Sequence, residues 1–253
     1  MVLHKIISLI ESAGSEAPLF PRTDIFNETW LVRLIVDWFA HNNALAFPFN
    51  FASDARWFSE ARLPSAFLAR SRGDSLAESW THADAIIGHF TIGSSGKTDC
   101  ILQPNANQFI VIEAKIYSQL SSGVTNAPYF DQCARNVACI AELLKRAGRA
   151  ANNVDSLGFY VLAPASQIDA GVFANKLQKQ SIQAKVERRV AAYDGLHDSW
   201  FKDFFLPVLE HIDIRCLTWE EIISYIRNED IECGNQVSTF YESCLGYNRS
   251  VFR

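Results

Sequence analysis

The stretch that most narrows the fold is Gln108–Lys115, QFIVIEAK. Phe109, Ile110, Val111 and Ile112 follow one another, and the turn residues Pro104-Asn105-Ala106-Asn107 stand just ahead. A short β-branched run bounded in this way is a strand. Side chains alternate along a strand, so Val111, Glu113 and Lys115 share one face while Ile110, Ile112 and Ala114 take the other. An acid and an amine at the end of such a strand put charge at the rim of a core, which is costly unless the charges find partners.

The surrounding pattern extends this strand into a sheet. Ala83–Ile92 reads as a strand, Gly93-Ser94-Ser95-Gly96 as a turn, and Lys97–Gln103 as a second strand. With Gln108–Lys115 they predict an antiparallel meander. A polar loop over residues 118–127 follows. A helix then starts near Pro128 and stops at Gly148, with Cys133, Val137, Ile140 and Leu144 on its apolar face and Gln132 and Asn136 on the flank. Leu157–Leu162, LGFYVL, is a continuous apolar run, the pattern of a buried strand reached through a crossover helix.

Upstream, residues 1–12 read as a short helix and Gly14–Pro21 as a loop. Thr23 or Asp24 caps a helix to about His41 with Leu31, Val32, Ile35, Trp38 and Phe39 as its stripe. Glu28 falls inside that stripe. Residues 42–80, rich in Arg and aromatics and carrying Pro48 and Pro64, are expected as mostly short helices. Downstream, Gln167–Ala192 reads as basic and helical, His197–Glu210 as a helix, Ile212–Leu217 as a short strand, and Trp219–Arg227 as a helix capped by Thr218. The expectation is one α/β domain over residues 1–253. Its mixed central sheet is flanked by helices, with the core in about 23–164 and a mostly helical C-terminal portion over about 165–253.

Composition excludes several classes. Apolar residues make up 49% and charged residues 20%, values of an ordinary globular chain and not of a disordered or collagen-like one. Leu31–Ala40 carries Arg33 and Asp37 and is too short to span a bilayer. No signal peptide is expected from the first ten residues. Six cysteines without a CxxC pair fit reduced thiols and a cytoplasmic location. The 23 Lys+Arg against 28 Asp+Glu give a net −5, but the charge is uneven. Residues 55–73 and 171–192 are basic and 210–232 are acidic, so local surfaces for a polyanion are compatible with the overall sign.

Asp99 stands fourteen residues before Glu113. If the two strands pair through the Pro104–Asn107 turn, their carboxylates approach. Two adjacent carboxylates repel unless a cation sits between them, and Mg²⁺ is a hard ion that accepts such oxygens while keeping several waters. The carbonyl of Ala114 offers a third oxygen, and Lys115 is placed to hold or activate an attacking water. Asp84, on the preceding strand with His82 on its face, competes with Asp99 as the second acid. Thr91–Thr98 lacks the first glycine of a phosphate-binding loop and is followed by a strand, which argues against nucleotide binding. His82 and His89, seven apart on a strand, face opposite ways and make no zinc pair.

Asp99-Cys-Ile-Leu followed by IVIEAK resembles the catalytic hairpin of the PD-(D/E)XK nuclease superfamily, and the element order resembles its restriction-endonuclease-like αβββαβ core. The likeness spans about residues 23–164; Thr98 stands where that family often has proline. The resemblance implies Asp99, Glu113, the Ala114 carbonyl and Glu28 as metal ligands, Lys115 as the catalytic lysine, and Gln132 as the polar residue on the following helix. It implies a Mg²⁺-dependent endonuclease, with Mn²⁺ able to substitute, acting on nucleic acid and on DNA before RNA. A homodimer stays open, as does a non-catalytic nucleic-acid-binding or assembly protein that keeps the fold. Arg-rich 55–73, with Trp57, Phe58 and Phe67, and the basic 171–192 are the candidate phosphate-contacting surfaces.

Overall fold

The computed structural model describes residues 2–42, 48–93, 98–123 and 126–249. The strands are β1 (Arg56–Leu63), β2 (Thr81–Gly88), β3 (Phe90–Ile92), β4 (Cys100–Leu102), β5 (Gln108–Ala114), β6 (Ser156–Ala163) and β7 (Asp213–Thr218). The longer helices are α1 (Val2–Ser12), α2 (Glu28–His41) and α3 (Gln132–Arg146). After β6 come the short α4 (Ala165–Asp169) and α5 (Ala174–Leu177), then α6 (Lys179–Ala191). The short α7 (Asp198–Trp200) runs through a π-turn, Phe201–Phe205, into α8 (Leu206–His211); α9 (Trp219–Glu229) and α10 (Ile231–Asn248) close the chain.

Five strands form a mixed sheet in the order β1-β2-β5-β6-β7. The β1/β2 and β2/β5 pairs are antiparallel, and β5/β6 and β6/β7 are parallel. Helices cover both faces, as expected for a sheet with parallel strands. Phe109 and Val111 of β5 pack into the layer under α3, α6 and α8. Ile110, Ile112 and Ala114 pack into the opposite layer, under α2, α9 and α10. Leu31, Val32, Ile35 and Phe39 of α2 are fully buried there, each worth about 1.5–3 kcal/mol relative to exposure.

Several sequence expectations are corrected. The continuous strand Ala83–Ile92 is two strands, broken at Gly88, whose φ of +143° turns the chain out of the sheet. A Cβ there would lie 2.2 Å from the Gln108 carbonyl oxygen, so only glycine fits. β3 and β4 form a separate two-stranded hairpin, and β5 pairs with β2 instead of β4. The meander is therefore an excursion inserted between two paired core strands. Residues 94–97, which hold most of the expected turn and half of the phosphate-loop-like segment, lie outside the described residues.

The described part of residues 42–80 holds β1 with turns and bends and no helix, where mostly short helices were expected. α2 begins at Glu28, capped by Asn27, whose side chain accepts from the Trp30 N–H; neither Thr23 nor Asp24 is the cap. α3 begins at Gln132, capped by Asp131. The C-terminal portion is more than a helical extension, because β7 joins the central sheet and α9 and α10 complete one of its two packed layers.

Candidate acidic and lysine site

The β2/β5 ladder pairs Gly88 with Phe109, Ile87 with Ile110, Ile86 with Val111 and Ala85 with Ile112, and then stops. One more step in the same register sets Asp84 opposite Glu113. There the strands part, and the Asp84 carboxylate replaces the missing ladder contact by accepting from the Ala114 N–H at 2.7 Å. The β1/β2 ladder shows the matching fault. It pairs Ser59 with Ala85 and Ala61 with Ala83, skipping Glu60, which would face Asp84. Glu60 has a φ of +57°, a left-handed backbone that is unusual for a strand residue. The outcome is a row of three acids, Glu60, Asp84 and Glu113, across adjacent strands.

Glu113 is almost fully buried. Its Oε1 accepts from the Lys115 ammonium at 2.7 Å and from the Gln132 side-chain amide, and Asn136 Nδ2 lies 3.4 Å from its Oε2. Burial, then the neighbouring Asp84 charge, pushes the Glu113 carboxyl up to about 8, while Lys115 pulls the other way. Burial alone would lower Lys115, but Glu113 and then Asp84 outweigh it and hold the ammonium above the ordinary lysine value. Glu60 is raised by burial and next by Asp84, with Arg33 and His82 opposing.

Of the residues expected at the site, Glu113, Lys115 and Gln132 meet. Gln132 also fixes the loop before α3, since its Oε1 accepts from the Ser121 N–H at 3.0 Å. Glu28, half-buried in the first turn of α2, acts on Lys115 and on the Cys244 thiol through its charge. Asp99 does not join them. It lies just ahead of β4, bridged to β1 at Arg62, whose Nε is 3.2 Å from its Oδ1. Both β1 and β2 stand between it and Glu113, because the excursion folds outside β1 instead of pairing with β5. Asp84 occupies the place assigned to Asp99.

Glu60 and Asn136 join the cluster without a mark in the sequence that assigns them to it. Glu60 sits on a strand whose alternation is interrupted at that residue. Asn136 lies one helical turn after Gln132, a spacing that puts both on one face of α3. The basic stretches are also less open than their composition implies. Arg56 donates to the Phe90 carbonyl, Arg62 pairs with Asp99, Arg70 pairs with Asp74, and Phe67 is in the core. In the second stretch Arg189 is fully buried. Lys185, 2.8 Å from Asp131, and Arg188, stacked over Tyr129, flank the start of α3 beside Gln132.

Among the described residues no three His, Cys, Asp or Glu side chains converge as an ion-binding group. The donors present nonetheless suit a magnesium-type ion, which takes one or two carboxylates and retains water. Asp84 and Glu113 supply those carboxylates, and a carboxyl held above its usual range by burial and by a like charge is a group that a dication would relieve. Asn136 Oδ1, in a fully buried side chain on the same helix face, has no hydrogen-bond partner. No helix among the described residues is long and apolar enough to cross a membrane. Comparisons with family models, with curated proteins and with solved structures gave no match for this chain.

Proposed function

We propose that this chain is a metal-dependent nuclease of the PD-(D/E)XK type, hydrolysing phosphodiester bonds in DNA, with Asp84 rather than Asp99 as its first acid. The observation that carries the reading is the facing of Asp84 and Glu113 where β2 and β5 separate, with the Lys115 ammonium 2.7 Å from Glu113. The order α2, β1, β2, β5, α3, β6, with three antiparallel strands and a parallel fourth, supports the restriction-endonuclease-like core.

In this reading Asp84, Glu113 and the Ala114 carbonyl hold Mg²⁺, or Mn²⁺ in its place. When bound, the ion supplies charge for the phosphate and a water of lowered pKa. Lys115 would donate toward the attacking water or the developing phosphate charge. Gln132 and Asn136 keep the Glu113 carboxylate turned to the site. Lys185 and Arg188 contact phosphates beside the start of α3. A second reading, a nucleic-acid-binding protein that keeps the fold without catalysis, draws on the engagement of Glu113 by Lys115, Gln132 and Asn136.

One experiment separates them. Wild type, Asp84→Ala and Lys115→Ala are titrated calorimetrically with Mn²⁺ and assayed with Mg²⁺ on supercoiled plasmid, linear duplex, single-stranded DNA and RNA. The nuclease reading expects metal binding that Asp84→Ala abolishes and cleavage of DNA that both variants abolish. Nucleic-acid binding without metal uptake or cleavage in wild type supports the second reading.

A further inference from the structure

We propose that Trp219 is a positioning residue for Lys115, so that the C-terminal part of the chain sets the geometry of the site. This rests on the nuclease reading above. The Trp219 side chain is fully buried, and its indole N–H donates to the Lys115 carbonyl oxygen at 2.8 Å. The Lys115 N–H donates to the Leu162 carbonyl of β6, also at 2.8 Å. Both polar main-chain groups of Lys115 are therefore held by segments that follow the catalytic strand, and the side chain between them reaches Glu113.

Trp219 is itself firmly placed. β7 pairs in parallel with β6 up to Ala163 opposite Thr218, and Trp219 is the next residue. Thr218 and Glu221 form a capping box at the start of α9, each side chain bonding the other's backbone N–H. The chain beyond Lys115 is tied to the same region, with the Tyr117 hydroxyl donating to the Leu245 carbonyl at 2.8 Å and Gln167 Nε2 donating to the Tyr117 carbonyl at 2.7 Å.

An indole N–H has no other polar function than donation. Without it the carbonyl of Lys115 is unrestrained, its ψ relaxes, and the ammonium moves relative to Glu113. Trp200 supplies a comparison. It is nearly as buried, in the opposite layer, and its indole N–H has no partner.

The test compares Trp219→Phe, which removes the donor and keeps an aromatic ring, with Trp200→Phe. Single-turnover cleavage of DNA with Mg²⁺ is measured alongside substrate affinity and Mn²⁺ affinity. The expected result for Trp219→Phe is a rate about ten- to a hundredfold lower. Both affinities should stay within about twofold of wild type, the signature of a group that acts on the chemical step. Trp200→Phe should leave the rate unchanged.

An active wild type with an unaltered Trp219→Phe rate overturns the positioning role alone. Equal losses in the two variants also overturn it, since they mark general packing. A wild type that cleaves nothing overturns the nuclease reading and the role with it. If phenylalanine prevents folding, benzothienylalanine at position 219 keeps the two-ring shape, exchanges N–H for sulfur, and is judged by the same outcomes.

Discussion

At the scale of single residues, the acid beside Glu113 is the sharpest point. Asp84 accepts from the Ala114 N–H inside the site, whereas Asp99 is engaged with Arg62 outside it. Asp84→Asn should therefore abolish Mn²⁺ binding and cleavage, and Asp99→Asn should leave both in place at a modest cost in stability. Calorimetry and a plasmid-nicking assay read the difference, and the opposite result would restore Asp99.

Glu113 carries a second prediction. Its folded value of about 8 stands above its ordinary 4.5, so between those pH values the folded state holds more protons than the unfolded one. Stability is then complete below this window and falls as pH rises through it, by something on the order of a few kcal/mol. Urea titrations of the metal-free protein should show the midpoint dropping from pH 5 toward about pH 8. Glu113→Gln should flatten that drop. A pH-independent midpoint in wild type would contradict a Glu113 carboxyl raised by burial and by Asp84.

At the scale of elements, Gly88 decides how the chain reaches the site. Its φ of +143° and the 2.2 Å approach to the Gln108 oxygen leave no room for a side chain. Gly88→Ala should cost more than about 2 kcal/mol, measured by urea or thermal unfolding.

The same glycine explains what the sequence conceals. It lies between the apolar Ala85-Ile86-Ile87 and Phe90, with only His89 beside it, so the strand-like pattern carries on through it and joins β2 to β3. That merger made the β3–β4 excursion look like part of a meander and favoured Asp99 over Asp84. β5, α3 and β6 were legible because their patterns agree with their packing: a β-branched run, a capped amphipathic helix, and a strand buried on both faces. β1 was not, since Glu60 interrupts its alternation and Arg56, Trp57 and Arg62 are signals of surface as readily as of strand. Lys115, Glu113 and Gln132 were legible because their positions follow from β5 and α3 alone.

At the scale of the molecule, the two packed layers divide the labour unevenly along the chain. The layer under α2 draws Trp219, Ile222, Ile226 and Tyr241 from the last third of the sequence, all of them buried. A fragment ending at residue 164 would keep α2 but uncover the part of the Ile110, Ile112 and Leu162 face that α9 and α10 pack over. We expect that fragment to lack a cooperative unfolding transition by circular dichroism, and the whole chain to show a single one. A folded, cooperative fragment would mean that the core stands by itself.

The excursion between β2 and β5 leaves the sheet after Gly88 and returns at Gln108, two points already joined by the His89 N–H bond to the Gln108 carbonyl at 3.1 Å. Because the gate closes on itself, the spacing of Asp84 and Glu113 does not depend on how far the intervening segment travels. The excursion is thus where a lineage could try new lengths, or an engineer could graft a recognition loop, without retuning the reactive centre.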